Sequence, residues 1–281
     1  MGSTAWQPSM IRKFIRGFPS SARTALVETD SGLGYLKAMG GPEGPHTLAA
    51  ELVGTQLAGR LGLSTLDWAV IMLDDIVEIP FVDKDGNQTG KAEAGPAFIT
   101  RRESGDTWSG DEKQLRRVVN PQDISRLVVF DTWTLNCDRH SFPPGEAPKK
   151  ARINRSNVFL SEEAPEGQFE LKAIDHTHCF TCGREWTRKL SGVTMVRDTR
   201  VFGLFPEFRS FLDRNTVVQA AVDLTKIDRG TAAGITRTIP KGWEVPKEAA
   251  DALLDLILGR AAFVAETIED RLWPQNDLVF D

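Results

Sequence analysis

Asn136, Asp138, Arg139 and His140 stand together in NCDRH, directly after the apolar run VVFDTWTL. Charge at the end of a buried helix is costly unless it is paired or put to use. Further along, Asn157 opens the apolar run NVFL and Asp175 follows FELKAI, with turn residues Ala164 to Gly167 between the runs. Pairing the runs as an antiparallel hairpin brings the Asn157 and Asp175 positions to one end, with paired Cα atoms about 4.5–5.5 Å apart. An amide oxygen and a carboxylate facing one small space are hard ligands, few in number, and suit a Mg²⁺ ion that keeps waters and phosphate oxygens. Asp138, in the loop before the hairpin, is placed to point into the same space as the base that takes a proton from an attacking hydroxyl. That is phosphoryl-transfer chemistry.

Such a site also needs a grip on phosphate. In RTALVETDSGLGYLKAM, two apolar runs flank the turn Asp30-Ser31-Gly32, which predicts a hairpin with Lys37 in its second strand. The first strand emerges from Gly17-Phe18-Pro19-Ser20-Ser21-Ala22, so Lys37 and this loop of small residues become neighbours. Backbone N–H groups around Ser20 and Ser21 can approach phosphate oxygens closely, and the lysine supplies a point charge. The loop is not a Walker A sequence. From Leu48 to Leu61 the only charged residues are Glu51 and Arg60. Glu51 either pairs with Lys37 or faces solvent opposite the Ala49, Val53, Leu57, Leu61 stripe.

The elements that must position these groups read as a β-rich lobe followed by a helical one. TLAAELVGTQLAGRLG predicts a helix ended by Gly62. LDWAVIML and GPAFITR predict strands around a polar turn at Asp83 to Gln88. A connector lies near residues 99–112. PQDISRLVVFDTWTLN then predicts a mostly buried helix opened by Pro121, and a tail rich in Leu and Ala from Val217 to Leu272 continues in helices. The expected division is 1–104 and 105–281.

The 281 residues allow one large domain or two lobes. Every long apolar stretch is interrupted by charge, which excludes a membrane span, and the N-terminus has no apolar signal core. A net charge of −5 argues against a general nucleic-acid coat. Three cysteines fit a reducing compartment better than a disulfide framework, so a cytoplasmic protein is expected.

NCDRH, then NVFL after Asn157, then Ile174-Asp175-His176 resemble the catalytic and metal-binding motifs of the HipA-like kinases, relatives of protein kinases and phosphoinositide kinases. YLKAM resembles that family's ATP-lysine strand, AAELVGTQLAGRLGL the helix after it, and IPKGWEVPKEAADALLDLILGRAAFV its C-terminal helices. The resemblance implies an α+β, bilobal protein-kinase-like fold with a β-rich N-lobe and a mostly helical C-lobe. It implies ATP and Mg²⁺ as cofactors, Asp138 as catalytic base, Asn157 and Asp175 as metal ligands, and Lys37 on the ATP phosphates. Phe98 to Arg101, Phe98 and Ile99 included, are expected near the adenine.

A Ser or Thr hydroxyl on a protein is the expected acceptor; a small molecule, lipid headgroup or RNA end are alternatives. A toxin-like role with an antitoxin-like partner follows from the resemblance alone. Two departures stand out. Residues 141–156 intervene between Asp-Arg-His and Asn157, which leaves Asn154 as a rival metal ligand, and place Lys149, Lys150, Arg152 and Arg155 beside the site. The extra N-terminal segment of longer HipA toxins has no counterpart, so a stand-alone form is expected. Two other readings remain: a nucleotide- or partner-binding module without transfer, and a zinc protein using His176, His178, Cys179 and Cys182 with Cys137 and His140.

Overall fold

The structure is a computed structural model and describes residues 6–142 and 151–274. The first half of the chain runs through β1 (Ile11–Gly17), β2 (Ala25–Thr29), β3 (Gly32–Lys37), α1 (His46–Arg60), β4 (Trp68–Leu73), a small hairpin of β5 (Pro80–Val82) and β6 (Gln88–Lys91), and β7 (Gly95–Arg101). Five of these strands make one antiparallel sheet in the order β1-β2-β3-β7-β4. Strand alternation divides its side chains between two faces. Val27, Leu36, Ile71 and Ile99 form a small outer core. Their sequence neighbours Lys37 and Phe98 point the other way, toward α1 and an open cleft. Ile99 therefore does not line the cleft beside Phe98 as expected: adjacent strand residues cannot share a face.

Helix α1 is sealed along most of its length, Glu51 included. It ends at Gly62, whose φ of +74° is the left-handed conformation that glycine adopts without a Cβ penalty. Rather than belonging to the sheet's outer core, α1 joins the large core that runs on into the second half of the chain.

That half begins with β8 (Gly105–Thr107), followed by α2 (Glu112–Leu115), α3 (Gln122–Thr134), β9 (His140–Ser141), β10 (Arg152–Ile153), β11 (Val158–Ser161), β12 (Glu170–Ala173), α4 (Val193–Val196), α5 (Arg214–Thr225), α6 (Arg229–Thr236) and α7 (Lys247–Leu272). β11 and β12 pair with Val158 opposite Ala173, and β8 adds a third strand. α3 lies at the centre, packed on α5 and α7. The buried Arg260 of α7 donates to the carbonyls of Trp133, Met195 and Val196, so it ties α7 to the end of α3. α3 stops where Leu135 turns left-handed at φ +55°, and the Asn136 N–H closes back on the Asp131 carbonyl at 2.9 Å. This stop delivers NCDRH to the start of the β11–β12 hairpin, where Asp138 meets Asn157. Among the described residues no helix is long and apolar enough to cross a membrane.

Candidate active site

The cleft between the sheet and the helical half has a volume of about 380 Å³ and is lined from both sides, by Ser20, Lys37, Glu51 and Phe98 and by Asn157 and Asp175. Lys37 Nζ donates to Glu51 Oε2 at 2.8 Å and to Asp175 Oδ1 at 3.0 Å. The open question about Glu51 is thus resolved in favour of the lysine. Burial alone would favour a neutral amine, but the Asp175 and Glu51 carboxylates override it and hold the Lys37 pKa above its ordinary range. Burial likewise opposes an ionised Asp175, yet Lys37 and the Thr177 hydroxyl keep it below the usual carboxylate range. The cleft therefore holds a fixed cation beside a fixed anion at neutral pH.

NCDRH splits inward and outward. Arg139 is fully buried; its guanidinium pairs with Asp131 and donates to the carbonyls of Asn157 at 3.0 Å and Ile174 at 2.6 Å. One side chain thereby fastens both ends of the β11–β12 hairpin to α3. Arg139 also donates to His176 Nδ1 at 3.2 Å, and burial with this cation beside it holds the His176 pKa well below its ordinary value. Asp138 points outward. Its Oδ2 accepts from Asn154 Nδ2 at 2.9 Å and from Asn157 Nδ2 at 2.8 Å, and its backbone N–H is received by Asn136 Oδ1 at 3.2 Å. His140 takes no part: its ring is buried against Phe142 and Phe205.

Both rival asparagines converge on Asp138, and they differ in what else they face. Asn157 is the buried residue of a one-turn 3₁₀ segment at the start of β11 and lines the cleft with Asp175, whereas Asn154 Oδ1 accepts from Ser156. Ser20 lines the cleft, its hydroxyl shared with Thr24, while Ser21 is exposed and outside the lining. Of the basic residues, Arg152 comes within 3.7 Å of Asp138 Oδ1 and Arg155 pairs with Glu207. Lys149 and Lys150 lie outside the described residues.

The expectation of three free thiols is corrected. Cys137 and Cys182 form a disulfide with their Cα atoms 5.7 Å apart, joining the Asp138 loop to the turn after Asp175. Their sequence separation of 45 gave no hint of it, because the left-handed turns that bring them together are tertiary features. Cys179 is buried with its Sγ on Thr134, and burial pushes its thiol up. The thiols and imidazoles of the zinc reading do not converge: among the described residues no three His, Cys, Asp or Glu side chains form a metal-binding group. A cation held here relies on few protein oxygens. Asn157 and the ionised Asp175 could supply them, leaving the remaining positions to phosphate and water, a set that fits the preference of Mg²⁺. Thr177 and His178, visible in the sequence only as part of the polar string HTHC, and Glu43, which no sequence pattern marks, stand beside Asp138 and Asp175.

A lysine held between a helix glutamate and a strand-end aspartate, across a cleft between a sheet and a helical half, defines a kinase-type site. The chain belongs to the HipA-like kinase family, whose sequence model matches residues 27–275. It is similar in structure to the Helicobacter pylori proinflammatory kinase CtkA, at 12% identity and a TM-score of 0.55 over 94% of this chain and 98% of that one. At that identity the likeness shows the kinase fold. The Mycobacterium tuberculosis PknI kinase domain matches over 97% of this chain and 100% of that one at 12% identity, but with a TM-score of 0.28, too low to carry weight. No curated protein matches the sequence.

Proposed function

We propose that the protein transfers the γ-phosphate of ATP, with Mg²⁺, to a hydroxyl on a Ser or Thr of a protein. The observation that carries this reading is the Lys37–Asp175 contact at 3.0 Å in the cleft, with Asp138 joined at 2.8 Å to Asn157, which lines the same cleft. Lys37 holds phosphate oxygens while Glu51 fixes its direction. Asn157 and Asp175 would hold Mg²⁺, which when bound neutralises charge on the phosphate oxygens. The acceptor oxygen forms its bond to the γ-phosphorus as the bond from phosphorus to the bridging oxygen breaks. ADP leaves with that electron pair, and the acceptor's proton passes to Asp138. Aromatic and apolar residues, Phe98, Phe159 and Leu66 among them, give the adenine end a dry wall.

The protein acceptor, an antitoxin-like partner and a cytoplasmic setting rest on the family resemblance and on sequence composition. The discriminating experiment is incubation with labelled Mg-ATP followed by mass spectrometry of phosphorylated species, in vitro and in expressing cells. Asp138→Asn is expected to lower transfer by roughly 10²–10⁴-fold, the usual contribution of a positioned base. Identical phosphorylated species from wild type and Asp138→Asn would remove the assignment.

A further inference from the structure

Glu43, in the loop between β3 and α1, and Thr177 and His178, in the turn after Asp175, are not used by the reading above. Thr177 Oγ1 donates to Asp175 Oδ1 at 2.7 Å and also lies 3.2 Å from His178 Nδ1. A hydroxyl has one proton to give. With that proton committed to the carboxylate, the ring nitrogen must be the donor in the second contact. On the opposite side of the ring, Nε2 lies 3.3 Å from Glu43 Oε1, and an ionised carboxylate only accepts. With both contacts made as hydrogen bonds, both ring nitrogens carry protons and the ring is a cation.

Its charged neighbours are Glu43, Asp138 and Asp175, one from each segment packed around it. Burial works against the charge, but the hydrogen bond to Glu43 and the nearby carboxylates raise the His178 pKa above its ordinary value. Gly183, left-handed at φ +79°, leaves the room the ring occupies: a Cβ there would come within 3.0 Å of Nε2.

We propose that His178, held by Glu43, is a positioning residue that sets the orientation of Asp138 for transfer. The proposal rests on the phosphotransferase reading. His178 Nδ1 stands 3.9 Å from Asp138 Oδ2, the oxygen that already receives both asparagine amides. Among the described residues, the fixed partners of the carboxylate thus gather on Oδ2, and Oδ1 faces only Arg152 at 3.7 Å, on a side chain half open to solvent, where an ion pair is weak. Oδ1 is consequently the oxygen presented to the acceptor hydroxyl. Because Thr177 bonds Asp175, the same ring links the base to the metal-holding side of the cleft.

The test is steady-state transfer of labelled γ-phosphate from Mg-ATP to dephosphorylated casein and to the protein itself. His178→Gln is expected to lower kcat by about 10–100-fold, the scale of a misplaced catalytic group, with KM for ATP within about two-fold. Glu43→Gln, which keeps the shape and drops the charge, is expected to lose about a third as much on a logarithmic scale. In an Asp138→Asn background, His178→Gln should cost less than about two-fold, since the carboxylate it orients is gone. Nitrogen-15 NMR of the ring at pH 7 should show both nitrogens protonated. A neutral ring, or an unchanged kcat in His178→Gln beside an active wild type, overturns this proposal alone. So does an equal loss in the Asp138→Asn background. A wild type that transfers phosphate to neither acceptor removes the kinase reading, and the positioning role with it.

Discussion

Lys37 reaches Glu51 at 2.8 Å, and Lys172, on β12, reaches the two oxygens of Glu103 at 2.8 and 2.7 Å. Both lysines are almost sealed, at 9% and 7% exposure. They differ in their remaining neighbours. Around Lys172 the polar groups close on one another: Glu103 also takes the Ser161 hydroxyl and Arg101, and Glu170 lies 3.4 Å from the lysine. Around Lys37 the second partner is Asp175, which borders the open cleft. Equal chemistry is therefore a closed fastener in one place and, in the other, a charge facing open space that suits the phosphate grip proposed above.

Breaking one half of a buried pair strands the other charge, at a cost of about 3–5 kcal/mol. Lys172→Met is expected to lose that much in denaturant unfolding while turnover per folded molecule is kept; a folded variant without turnover would erase the distinction. Lys37→Met is expected to cut phosphate transfer by roughly 10²–10³-fold, the effect of removing a donor that holds developing charge. Its loss of stability should be the smaller of the two, because water entering the cleft can reach the abandoned carboxylates. A third outcome sharpens the contrast. Lys172→Met with Glu103→Leu should recover part of the lost stability, since an apolar pair can replace a buried ion pair, whereas Lys37→Met with Glu51→Leu should recover no transfer.

The smallest effect is one of pH and belongs to Glu43–His178, at the rim of the cleft. The folded ring's pKa lies above its ordinary value of 6.5. Its stabilisation is therefore complete below about pH 6.5 and disappears as pH rises through the folded value. The Tm gap between wild type and His178→Gln, about 2–4 °C at pH 6 for a chain of this size, should close by pH 9. A gap that grew with pH would reverse the sign of the interaction.

Local signals made much of this architecture readable. α1, α3, β7 and the β11–β12 hairpin announce themselves through helix stops, alternation and turn residues, and the Lys37, Asp138, Asn157 and Asp175 positions follow from where those elements end. The strand β1 went unread because its pairing with β2 shifts register between Ile11 and Lys13 and again between Phe14 and Arg16. Those irregularities place Ile11, Phe14 and Gly17 on a period of three, so the strand signature is absent from IRKFIRG. Ile99 falls on the outer core and Phe98 on the cleft because neighbours along a strand take opposite faces, so no contiguous run there can all meet the adenine. The Cys137–Cys182 bond, the Glu103–Lys172 pair and the contact of Glu43 with His178 join residues far apart in the chain, and no local pattern encodes such meetings.

Gly54 on α1 has a consequence for how such a kinase is switched. A Cβ there would lie 2.6 Å from that of His176, so the bare helix backbone is seated directly on the segment that follows Asp175. Glu51, one turn earlier, receives the His176 N–H at 2.8 Å as well as the lysine. In kinases controlled by an outward-swinging helix, the swing parts glutamate from lysine; here it would also orphan a buried amide and open a gap over an imidazole. In this arrangement the helix is latched onto the segment after Asp175. Amide exchange along α1 should accordingly be as slow without nucleotide as with it, and a nucleotide-dependent slowing would show that the latch opens.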